Sequence, residues 1–154
     1  MKNSANSSCG GSRRVDAHHH FWKYSPEEYG WITEQMSGIR RDFLPQDLKD
    51  EIDRAGIDAV ISVQARQTLQ ETQWLLDLAE QHEFICGVVG WVPLVDPGVE
   101  EVLARFSSNR WLKGVRHVVQ DEPDEMFILR PDFNRGVSLL ERFGLVYDIL
   151  IFER

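Results

Sequence analysis

A chain of 154 residues, 42% hydrophobic and 27% charged, has room for one domain with a buried core and is neither fibrous nor disordered in composition. Its 17 Lys and Arg against 25 Asp and Glu leave a net charge of −8, which argues against a nucleic-acid or polybasic membrane partner, and no run approaches the ~20 apolar residues of a membrane span. Two cysteines, Cys9 and Cys86, are too few for a disulfide framework, so a reducing, cytoplasmic setting is expected.

In chain order, residues 1–13 read as a disordered tail rich in Ser, Asn and Gly, without the apolar segment of a secretory signal, and 14–154 as the folded domain. Val15 to Phe21 reads as a strand. Pro45 to Ala55 reads as a helix, with Pro early, Leu48, Ile52 and Ala55 on one face, and Gly56 as its stop. Asp58 to Ala65 is β-rich, and Thr68 to His82 carries a helical apolar stripe. Phe84 to Leu94 is an almost unbroken apolar run, as in a strand buried on both faces. Asp96-Pro97 reads as an N-cap followed by proline at the first helical position, leading the stripe Val99, Val102, Leu103, Phe106. Leu112 to Val119 is a fourth strand, Pro131 to Phe143 a helix closed by Gly144, and Leu145 to Ile151 a fifth strand.

The fold class is therefore α/β, built of parallel β/α units with right-handed crossovers. Two architectures fit: an open doubly wound sheet, or the first five strands of an incomplete (β/α)8 TIM barrel. The polar residues collected at the C-terminal strand ends favour the barrel. So does the apolar strand at the chain's end, with no helix after it.

The most informative segment is Asp16-Ala17-His18-His19-His20-Phe21-Trp22. On a strand His18 and His20 share a face, about 7 Å apart at ~3.3 Å per residue, and His19 points away. Two imidazoles on one face chelate a divalent metal or deprotonate a water, and the bland alternative is a pair of hydrogen-bonded core histidines. On the fourth strand, Arg116 offers a planar fork for a carboxylate or sugar hydroxyls, with a paired structural arginine as its alternative. His117 is adjacent, so alternation sends it to the other face unless the strand has already ended. Gln64 closes the second strand as a hydrogen-bonding or capping group. Trp91 ends the third strand, and Asp148 is a lone acid in an apolar strand.

Val15 to Trp22 resembles the opening of the amidohydrolase-related lactonases, the metal-dependent-hydrolase group that includes L-fuconolactonase and L-rhamnonolactonase. Tyr29-Gly30-Trp31-Ile32, Arg41-Asp42-Phe43-Leu44-Pro45, Gly114-Val115-Arg116-His117, Leu129-Arg130-Pro131-Asp132-Phe133 and Gly144-Leu145-Val146-Tyr147-Asp148 are similar to that family in the same order. The resemblance implies a (β/α)8 barrel whose small-molecule substrate is a sugar lactone or similar cyclic ester. It puts His18 and His20 in the catalytic site, beside the attacking water or as ligands of a metal. Arg116, Trp31, Gln64 and His117 would bind substrate, with either no cofactor or one zinc-like divalent metal. The family's later histidine and last-strand aspartate have no counterpart, so the 154-residue chain is expected to be a truncated, inactive isoform or fragment. An unclosed barrel would expose an edge open to self-association. A non-catalytic interaction module of the same ancestry and a self-sufficient open-sheet binding domain remain the alternatives.

Overall fold

The computed structural model describes residues 13–152. The expected tail over 1–13 lies outside the described residues except for Arg13, as does Cys9. Five strands alternate with four helices: β1 (Val15–His19), α1 (Pro45–Ala55), β2 (Ala59–Val63), α2 (Leu69–Gln81), β3 (Ile85–Gly90), α3 (Val99–Ser107), β4 (Leu112–Val118), α4 (Pro131–Leu139) and β5 (Val146–Leu150). All strands are parallel and lie in the order β1-β2-β3-β4-β5. Sequential order with crossovers of one hand puts every helix on the same side and curls the sheet, as in five consecutive units of a (β/α)8 barrel. The doubly wound alternative fails because its strand order must reverse at a switch point, and here none does.

Local chemistry explains the element ends. In α1, Pro45 occupies the first turn and Asp47 accepts from the Leu44 N–H at 2.8 Å, while Gly56 caps the other end at φ +66°. In α2, Thr68 caps by accepting from the Glu71 N–H at 3.2 Å. Three expectations need correction. The third strand stops at Gly90, four residues before Leu94, because the Trp91 main chain leaves the ladder to bond the Thr72 hydroxyl. Asp96 is not the cap of α3: Pro97 has no N–H, so the carboxylate takes the Gly98 N–H at 2.6 Å and the helix begins at Val99. The fourth helix tightens into a 3-10 turn over Leu140–Phe143 before Gly144. Further 3-10 turns at Glu34–Ile39, Val119–Asp121 and Phe127–Leu129 carry no periodic signal.

The core lies between the sheet's outer face and the helices. Val60, Ile85, Val88 and Val115 meet Leu75, Leu76, Leu103, Phe106 and Phe133, all buried. Each such side chain contributes about 1.5–3 kcal/mol when fully buried. A second cluster, Trp22, Tyr29 and Ile32 with Phe43, folds the long β1–α1 connection over the sheet's C-terminal end, pinned by Trp22–Phe43 backbone hydrogen bonds of 2.9 and 3.0 Å. Among the described residues no helix is long and apolar enough to cross a membrane.

Candidate active site

The inner face of the sheet is left polar where β1, β2 and β4 end. Nε2 of His18 and Nε2 of His20 lie 3.2 Å apart, with the rings edge to face. His20 stands one residue past β1, where the register with β2 is irregular, yet its Nδ1 is fixed at 2.9 Å from the Val63 carbonyl. Arg116 reaches in from β4, almost fully buried. Its Nη2 donates to the Gln64 carbonyl at 2.5 Å, and its Nη1 lies 3.3 Å from His18 Nε2. Gln64 Oε1 is a longer partner at 3.4 Å. Asp148 on β5 is the register partner of Arg116 and so shares its face.

These contacts fix proton positions. A carbonyl only accepts, so His20 Nδ1 carries hydrogen and, in the neutral ring, Nε2 presents a lone pair. Arg116 only donates, so His18 Nε2 also presents a lone pair. Burial lowers the His20 pKa, and the neighbouring Arg116 and His18 charges act in the same direction, which keeps the ring neutral. Burial likewise pulls the Arg116 pKa down, opposed by Asp148, Glu71 and Tyr147.

Two converging lone pairs at this separation fit a proton or a divalent cation between them. Tetrahedral zinc with ~2.0–2.1 Å bonds spaces its nitrogens by about 3.3 Å. Among the described residues no group of three His, Cys, Asp or Glu side chains gathers to complete a metal shell.

The remaining candidates lie elsewhere. His117 continues β4 and faces outward. It accepts from the Trp91 indole at 3.2 Å through Nδ1, pairs with Glu122 at 2.6 Å through Nε2, and stacks on Phe127. The structure therefore does not bring it together with Arg116. His19 also faces outward, hydrogen-bonded to Ser62 at 3.1 Å, and burial lowers its pKa to about 4. Trp31 sits half exposed in the β1–α1 connection, edge-on to Trp22. A separate groove of about 870 Å³, lined by Arg13, Asp58 and Phe84 among others, opens where the strands begin, away from this cluster. Sequence reasoning missed Glu71, a fully buried acid behind the site, although the spacing Thr68-x-x-Glu71 marks a helix start.

A family model described as amidohydrolase matches residues 15–153. The chain is 41% identical over 145 residues to an L-fucono-1,5-lactonase of Burkholderia multivorans, covering 94% of this chain and 49% of that protein. It is 32% identical to an L-fucono-1,5-lactonase of Burkholderia ambifaria, covering 92% of this chain and 49% of that one. The chain thus spans about half the length of the curated relatives it matches. A crystal structure of an amidohydrolase from Burkholderia multivorans with bound zinc superposes at TM-score 0.89 and 41% identity, over 93% of this chain and 50% of that one.

Proposed function

The chain belongs to the amidohydrolase family, and from that premise we propose that its inner-face cluster serves the hydrolysis of a sugar lactone of the L-fucono-1,5-lactone type. The observation that carries this reading is the convergence of the His18 and His20 Nε2 lone pairs beside the Arg116 guanidinium. Water oxygen bonds to the ester carbonyl carbon, the ring C–O bond breaks, and the product is the open hydroxy acid. The neutral His20 takes the water proton at Nε2, held in aim by the Val63 carbonyl, and returns it to the ring oxygen as the C–O bond breaks. Arg116, already anchored on Gln64, keeps positive charge beside the carbonyl oxygen as that oxygen gains negative charge. Were a divalent cation held by the His18 and His20 Nε2 lone pairs, it would polarise the carbonyl and activate the water in place of His20 acting as the base. The scarcity of cysteine supports a cytoplasmic setting.

The test uses the full-length protein with L-fucono-1,5-lactone and other aldonolactones. His18→Ala and His20→Ala are expected to lower kcat/KM by about 10²–10⁴-fold, the usual worth of acid–base assistance. His19→Ala faces the other side and is expected to cost far less. Equal losses for all three would show that strand alternation does not organise the site. Arg116→Lys keeps the charge but not the fork, and a raised KM is expected.

A further inference from the structure

We infer that Glu71 is a positioning residue for this site: its carboxylate holds the N–H groups of Ala65 and Arg66, and the first of these shares its peptide unit with the Gln64 carbonyl that anchors Arg116. The role rests on the reading above, in which His20 and Arg116 act on substrate.

Glu71 lies in the first turn of α2, is fully buried, and belongs to none of the motifs that resemble the family. One carboxylate oxygen, Oε2, accepts from the N–H groups of both Ala65 and Arg66, at 2.9 and 2.7 Å. The peptide unit that carries the Ala65 N–H also carries the Gln64 carbonyl, which meets Arg116 Nη2 at 2.5 Å. The peptide before it, whose Val63 carbonyl meets His20 Nδ1 at 2.9 Å, is held separately by the Gln64 N–H on the Val89 carbonyl at 2.8 Å. One peptide plane thus joins Glu71 to Arg116.

An ordinary ion pair does not explain the acid. Arg66 binds Glu28 at 2.5 Å and stands 3.8 Å from Glu71 Oε1, which has no hydrogen-bond partner among the described residues. Burying a carboxylate is costly, and two main-chain donors and the helix N-terminus offset only part of that cost. Without the carboxylate, two buried N–H groups lose their acceptor. The peptide units must then rotate to find others, and the Gln64 carbonyl rotates with the first of them.

The experiment follows the 154-residue chain by ¹H–¹⁵N NMR against pH. The charged and titratable groups facing Glu71 are Arg66 on its own loop, Arg116 from β4 and Tyr29 from the β1–α1 connection, with Glu28 beyond Arg66. Burial raises the Glu71 pKa to about 7, whereas burial pushes the Tyr29 hydroxyl up and the His20 ring down, away from that midpoint. The Ala65 and Arg66 amide protons are expected to shift together with one midpoint near neutral pH. The Arg116 guanidinium signals should follow them, while core signals such as Leu103 and Phe106 stay put. Glu71→Gln should abolish the shared midpoint and displace the Arg116 signals. Glu71→Asp, which keeps the charge but shortens the reach, should displace them too. If the Arg116 signals of the wild-type chain ignore the Ala65–Arg66 transition, or if that transition survives Glu71→Gln, the inference is overturned. Neither outcome depends on lactone turnover, so a failure of the lactonase reading would be visible separately.

Discussion

His117 and Arg116 are chain neighbours with opposite fates. β4 runs on through Val118, so alternation holds: Arg116 turns inward and His117 joins Phe127 and Phe133 on the helix side. The imidazole there is a structural link between the Trp91 indole and Glu122. His117→Phe keeps the stack on Phe127 but strands the half-buried Trp91 indole N–H. A loss of about 1–3 kcal/mol is expected in urea denaturation, the usual cost of an orphaned polar group. Lactone kinetics in the full-length protein should stay within a few-fold of wild type, and a collapse of kcat with unchanged stability would return His117 to the site. Arg116 differs because its partners, Gln64 and His18, lie 52 and 98 residues away in the chain.

Among the elements, α4 depends on the closest packing. A Cβ added to Gly136 would stand 2.0 Å from the Leu94 carbonyl oxygen and 2.8 Å from its carbon. Both are backbone atoms of the β3–α3 connection, so the obstacle cannot swing aside as a side chain would. Gly136→Ala gains roughly 1 kcal/mol in helix propensity, yet overpacking typically costs 1–3 kcal/mol and a backbone clash lies at the upper end. A net drop in melting temperature of several degrees is expected. Gly38→Ala, with nothing within 4 Å of the added carbon, is the control and should leave the melting temperature unchanged. Equal behaviour of the two variants would mean that α4 does not seat on Leu94.

For the whole molecule, two buried groups set opposing pH dependences. His19 has its pKa lowered from 6.5 to about 4, so its stabilising contribution is present above pH 6.5 and is lost as pH falls through 4. Glu71 has its pKa raised from 4.5 to about 7, so its contribution is present below pH 4.5 and is lost as pH rises through 7. Each amounts to about 3–4 kcal/mol at ~1.4 kcal/mol per pKa unit, and from pH 4.5 to 6.5 the two slopes oppose. Glu71→Gln should therefore give a melting temperature that climbs with pH across that window. His19→Asn should give one that falls, with wild type between them. Thermal scans at pH 4.5, 5.5 and 6.5 decide it, and parallel slopes in all three proteins would refute it. Activity is also a property of this scale. A (β/α)8 site draws on loops after many strands, and this chain spans about half the length of its lactonase relatives. The 154-residue polypeptide assayed by itself is expected to show no lactone turnover above background. Turnover that vanishes on His18→Ala would overturn that expectation.

Local signals carried much of this architecture. Pro45, Gly56 and the Leu48–Ile52 stripe bound α1 to the residue, because caps and 3.6-residue periodicity act within a few positions. Alternation separated His18 and His20 from His19 and Arg116 from His117, because a strand's pleat is itself local. Where β3 stops was not legible, since the Thr72 hydroxyl that takes its next peptide comes from another element. Asp148 read as a lone mid-strand acid. Only the parallel register of β5 on β4 sets it beside Arg116. Glu71 read as an ordinary helix-start acid until the fold buried it under the Ala65–Arg66 turn. The sequence by itself determined the order of strands and helices and the face each histidine takes, because both follow from repeats shorter than one element. Which groups meet at the strand ends was decided by the curl of the sheet, a long-range packing outcome that joins residues up to 98 positions apart.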